Sequence, residues 1–284
     1  MSMRTGVRPI LALAAVASVA AAGAGVRVLH RQPPRDAAES AQAGPETQPA
    51  QESAARGEVA DGADPGANPP YDGRFSFARI RFEPMGGGMG FGGRADVKWD
   101  HDFPRADRNF ARILAEVSSV HPRLDGVVLG LGDPELFKYP VIYLCEPGFW
   151  SPTDDEAANL RAYLQKGGFM IFDDFFGYHW DNFAQSMRKV LPEARPVRLD
   201  ASHPIFDSFY HIPSLEMQSY GRRPPEFWGI YEDNDPAKRL LAIIDYNNDI
   251  GEDWEWSDTG MMPVELSNQA YKLGVNYVVY AMTH

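Results

Sequence analysis

YPVIYLCEPGFWSPTDDEAANLRAYLQKGGFMIFDD, Tyr139 to Asp174, decides the fold. Val141 to Leu144 is a short apolar run with β-branched and aromatic residues, the composition of a strand buried on both faces. Thr153 opens a helix, because its hydroxyl can accept from the backbone N–H of Glu156 while Glu156 reaches back to the N–H of Thr153. Asp154 and Asp155 place negative charge at the positive end of that helix. Ala157, Leu160, Tyr163 and Leu164 recur at helical spacing and form one apolar face. Gly167 and Gly168 mark the stop, where a left-handed residue is needed. Phe169 to Phe172 is the next buried strand. A strand, a crossover helix and a second strand predict a parallel pair.

Composition narrows the rest. The chain has 284 residues and a formal charge of −12, which argues against nucleic acid or an anionic membrane surface as a partner. Cys145 is the single cysteine, so an intramolecular disulfide is excluded.

Outward toward the N-terminus, Arg4 and Arg8 precede an uncharged apolar run from Ile10 to Val26, followed by Arg27, His30 and Arg31. This pattern predicts a signal peptide or an uncleaved inner-membrane anchor over residues 1–31, with the body of the protein periplasmic or otherwise extracytoplasmic. Residues 32–73 are rich in Ala, Pro, Gly, Glu and Gln and lack an apolar period, the composition of a disordered linker. The folded domain is expected over 74–284.

Within it, Arg74 to Phe82 alternates as a first strand. Gly88, Gly90 and Gly93 formally fit G-x-G-x-x-G, yet no helix opens at the third glycine. A mobile glycine loop is the reading favoured over backbone amides of Gly88 and Gly90 cradling an anion. Asp100, His101 and Asp102 resemble a metal or acid–base cluster. On a strand, adjacent residues point to opposite faces, so a structural or surface role is expected for them. Asp107 reads as the cap of a helix. Asp245, Asn247 and Asp249 match the first half of a calcium loop, but Ile250 stands where glycine is required and Trp256 where glutamate is required. Only an irregular cation site using Asp245 and Asp249 is left open there. The C-terminal stretch predicts a helix, a stop at Gly274 and a last apolar segment.

The segments WDHDFPRADRNF, GFMIFDDF, HPIF and LGVNYVVYAMTH together resemble a bacterial family known as domain of unknown function 4159, from about Phe75 to His284. That family is similar to the class I glutamine amidotransferase-like superfamily. The resemblance implies a flavodoxin-like three-layer α/β sandwich with a mostly parallel sheet. It also implies an elbow after the Gly-Gly helix and its strand, where catalytic relatives carry G-x-C-x-G. Here the place reads F-D-D-F-F-G, Phe172 to Gly177, with Asp174 or Phe175 where the nucleophilic cysteine would be. Cys145 follows the wrong strand, and Pro147 blocks the sharp turn such a nucleophile needs.

Ligands of open α/β sheets bind beyond the C-terminal ends of the strands. That places Asp173 and Asp174 at the expected mouth, with at most one facing it squarely, and Tyr178, His179 and Trp180 beside them. His203 and Asp245 are candidates from later loops. The expectation is a binding or scaffolding domain of the cell envelope, without a cofactor, recognising an envelope protein or a small ligand. The alternative is a hydrolase, metal-assisted or not, that uses the Asp173–Asp174 region with His179 or His203.

Overall fold

In a computed structural model of the chain, residues 68–86, 96–216 and 223–284 are described. The expected signal or anchor segment at 10–26, nearly all of the linker, and Gly88 and Gly90 lie outside the described residues. Among those described, no helix is long and apolar enough to cross a membrane.

The described residues form a three-layer α/β fold around one sheet. Its strands are β1 (Ala78–Arg81), β2 (Val127–Gly130), β3 (Val141–Cys145), β4 (Phe169–Phe175), β5 (Val197–Arg198), β6 (Glu226–Tyr231) and β7 (Leu240–Tyr246), in the order β2-β1-β3-β4-β7-β6-β5. The first five in that order are parallel. β6 and β5 add an antiparallel edge. Two apolar cores lie on either side. One joins α1 (Arg105–Val117), α4 (Ile250–Glu255) and α5 (Val264–Thr283) to Phe77, Tyr143 and Ile171; the other joins α2 (Asp154–Gln165) and α3 (His179–Val190) to Ile80, Ile142 and Phe172. Alternation along each strand supplies both cores at once, which is why β3 and β4 are buried throughout.

The deciding stretch folds as its sequence dictates. Thr153 Oγ1 accepts from Glu156 N–H at 3.2 Å, and Thr153 N–H donates to Glu156 Oε2 at 2.9 Å. Gly167 ends α2 at φ 111°, a conformation that costs glycine little.

Four local expectations are corrected. The first strand is shorter than Arg74 to Phe82, since regular pairing covers Ala78–Arg81. Gly274 does not stop a helix: α5 runs through it, because a Cβ there would stand 2.6 Å from both Phe110 and Trp254, so the missing side chain serves close packing. The acidic stretch after β7 contains a helix, α4, N-capped by Asp249, whose side chain accepts from Glu252 N–H at 2.9 Å. Asp107 lies in the first turn of α1 but pairs with Arg79 instead of capping.

That pair positions the candidate site. The Arg79 guanidinium is fully buried on β1 and contacts Asp107 at 2.6 Å. It also donates to the carbonyls of Trp99 and His101 at 3.1 and 2.8 Å. The segment from Trp99 to His101, ahead of α1, is thereby tied over the C-terminal end of the sheet.

Candidate functional site

Three segments converge at the C-terminal edge of the parallel strands: the β1–α1 connection, the end of β3 and the end of β4. His101 Nδ1 lies 3.0 Å from Glu146 Oε1 and 3.7 Å from Asp174 Oδ2, while its Nε2 lies 2.8 Å from Asp96 Oδ1. Lys98 Nζ bridges Asp96 at 2.8 Å and Glu146 at 3.2 Å. Cys145 Sγ donates to Asp174 Oδ2 at 3.6 Å. The ligand-type atoms of His101, Glu146 and Asp174 all stand within 4.8 Å of one another, as do those of Asp102, Cys145 and Asp174.

The backbone is strained where these side chains meet. Of seven non-glycine residues with positive φ among the described ones, five lie in this edge: Lys98, Asp102, Glu146, Asp174 and Asn247. Each left-handed residue costs roughly 1–2 kcal/mol, and such strain gathers at functional sites. Asp174, at φ 59°, breaks the alternation of β4, and the pairing with β7 shifts register between Phe172 and Phe175. The two neighbouring aspartates thus take separate tasks. Asp173 accepts from Tyr143 OH at 2.7 Å and from the N–H groups of Ile250 and Gly251, fastening α4 to the sheet. Asp174 faces the imidazole.

Electrostatics follow from burial. Burial opposes charge on His101, but the facing carboxylates of Asp174, Asp96 and Glu146 outweigh it and hold the imidazolium well above its ordinary pKa. Burial and the Asp174 charge push the Glu146 carboxyl up. Burial, reinforced by Asp174 and Asp102, pushes the Cys145 thiol well up, so it stays protonated. Asp102 is 8% exposed, and its Oδ2 has no hydrogen-bond partner. Burial and the nearby Asp174 charge raise its carboxyl as well.

The remaining candidates fall in several places. His179 packs on Gly148 and Phe149, and its Nδ1 is buried without a partner. Burial lowers its pKa while Asp174 raises it, so it borders the same cluster. Tyr178 is exposed on the rim against the His179 ring. Trp180 turns into the α2–α3 core against Phe183, Trp228 and Tyr246. His203 is not brought to Asp174: it stacks near Tyr231 and Tyr280, and Tyr231 pairs with Leu240 at the start of β7, the opposite edge of the sheet. Asp245 accepts from Tyr277 OH at 2.9 Å inside the sheet, and Asp249 caps α4. Neither belongs to a group of converging ligand atoms among the described residues. A cavity lined by Tyr71, Tyr139, Tyr163 and Lys166 opens at the N-terminal edge of β3 and β4, away from the cluster.

Sequence reasoning missed Glu146, Lys98 and Asp96, and it set His101 and Asp102 aside. The rule of alternate faces assumed a strand over Trp99–Asp102, whereas the segment is a turn with left-handed Lys98 and Asp102, so neighbouring side chains face one site. Fold and site together define a three-layer α/β domain with a buried carboxylate–imidazole centre at the C-terminal edge of its parallel strands. The family described as Domain of unknown function (DUF4159) matches residues 76–282, and the chain belongs to that family. No curated protein matches the sequence.

Proposed function

We propose that this chain is a ligand-binding domain of the bacterial cell envelope. Its scaffold is flavodoxin-like and of the class I glutamine amidotransferase-like type, without the thiol reaction of that superfamily. The parallel strand order β2-β1-β3-β4-β7 supports the scaffold, since it reproduces the doubly wound order 2-1-3-4-5 with β7 in the fifth place. The observation that carries the functional reading is Asp174. It stands near the end of β4, where the resemblance to amidotransferases would set either Asp174 or Phe175 in the nucleophile's place; its backbone is left-handed, and its carboxylate is spent on His101 and on a thiol that burial keeps protonated. A carboxylate acceptor beside a neutral thiol lacks the thiolate that glutamine hydrolysis needs.

The test is turnover by the purified full-length chain on glutamine and on a panel of carboxyl and phosphoryl esters. Rates equal to those of Asp174→Asn are expected. Turnover abolished by Cys145→Ser or by Asp174→Asn overturns the binding reading. One observation favours a hydrolase as the second reading: the unpartnered, buried Nδ1 of His179 beside Asp174. Under that reading Asp174→Asn and His179→Ala both abolish the rate.

Envelope residence rests on Arg4, Arg8 and the apolar run from Ile10 to Val26. Fractionation is expected to find the chain outside the cytoplasm and to find a variant lacking residues 10–26 inside it. Cytoplasmic recovery of the intact chain contradicts this part.

A further inference from the structure

We infer that His101, Glu146 and Asp174 form the binding site of a single divalent transition ion of the zinc type, with the unpartnered Asp102 carboxylate converging on Asp174 beside them. Only the location of the functional centre is taken from the binding reading above.

Geometry is the first support. Ligand atoms about 2.0–2.2 Å from one ion stand roughly 3–4 Å apart. His101 Nδ1 lies 3.0 Å from Glu146 and 3.7 Å from Asp174. The second support is orientation. Metal-bound histidines hand their other ring N–H to a carboxylate or carbonyl, and His101 Nε2 meets Asp96 Oδ1 at 2.8 Å, which leaves Nδ1 directed at Glu146 and Asp174. As the ion takes the Nδ1 lone pair, the proton there leaves to water. The third is independent of the triad. Asp102 Oδ2 is buried with no donor, and a buried carboxylate without a partner is costly. Its carboxylate already converges with Asp174 and Cys145. The donor set decides the class of ion: an imidazole among carboxylates suits zinc and its neighbours, whereas magnesium and calcium prefer oxygen alone. Lys98 is the competing cation, because it already contacts Glu146 at 3.2 Å.

The experiment is calorimetric titration of the full-length chain, stripped by chelator, with zinc chloride, alongside magnesium and calcium chloride. One zinc per chain is expected, with no comparable heat from the other two. Asp174→Asn and Glu146→Gln are each expected to weaken zinc at least about tenfold, and Asp96→Asn by about 10–100-fold, as for outer partners of metal ligands. Asparagine tolerates the left-handed backbone at 174, and circular dichroism identifies any variant that fails to fold. His211, on the exposed Asp207–His211 pair, is the control, and His211→Ala is expected to leave the affinity unchanged. Absence of stoichiometric zinc binding by the parent chain overturns the inference, as does binding that survives both Asp174→Asn and Asp96→Asn or falls with His211→Ala. Zinc binding with ester or amide turnover retains this inference and removes the binding reading. Neither zinc nor turnover does the reverse.

Discussion

Asp174 shows how one backbone choice reshapes a strand end. In a regular strand Asp173 and Asp174 would face opposite layers; the left-handed turn at Asp174 puts both carboxylates to use at one edge. The aspartates were legible in the sequence because they follow a buried apolar run. Glu146 was not, since it sits inside Cys-Glu-Pro-Gly and reads as turn punctuation. The carboxylates beyond the cluster leave a pH signature. Burial raises Asp253 to about 7, helped by the charges of Asp173 and Glu252, and burial likewise raises Asp173 to about 7. The folded chain therefore holds protons that the unfolded chain has lost between about pH 4 and pH 7. The stability these groups contribute is full below pH 4 and disappears as pH rises through 7. At about 1.4 kcal/mol per pKa unit, Asp253→Asn is expected to gain on the parent chain, from pH 4 to pH 8, by on the order of 2 to 4 kcal/mol. Urea denaturation at the two pH values checks this, and an equal difference at both contradicts it.

At the scale of elements, what is local was legible and what is set by packing was not. The β3–α2–β4 unit was readable because its cap, apolar face and glycine stop lie within one stretch. Helix α4 was hidden in an acidic segment. It depends on the Asp249 cap, on Asp173 accepting its first amides, and on a Trp254 side chain stacked on Phe110 at 4.5 Å. Gly274 misled for the converse reason, because a glycine required by neighbouring rings is identical in sequence to one required by a turn. Alanine in a helix interior is ordinarily worth up to about 1 kcal/mol over glycine. Here Phe110 and Trp254 are both fully buried, and the added carbon would stand 2.6 Å from each. Gly274→Ala is therefore expected to destabilise by about 1–3 kcal/mol, the cost of overpacking. Chemical denaturation measures it, and a stabilised variant would show that α4 can move away from α5.

On the scale of the whole molecule, the sheet assembles its centre from sequence-distant pieces. The connection after β1 bears Lys98, His101 and Asp102; Glu146 follows directly on β3; Asp174 is the last residue but one of β4. Arg79, buried in β1, holds the first piece in register with the other two through the carbonyls of Trp99 and His101. Strand order brings β1, β3 and β4 side by side, and no pattern in a single sequence reveals that three such ends meet. The layered class and the strand that carries Asp173 and Asp174 were readable from the chain; which side chains meet beside Asp174 required the topology. Anomalous diffraction at the zinc edge, from crystals of the chain grown with zinc chloride, tests the central claim most directly. The expected result is one strong peak between His101 Nδ1, Glu146 and Asp174, with Lys98 displaced from Glu146. A map without a peak there, with Lys98 still on Glu146, would contradict it.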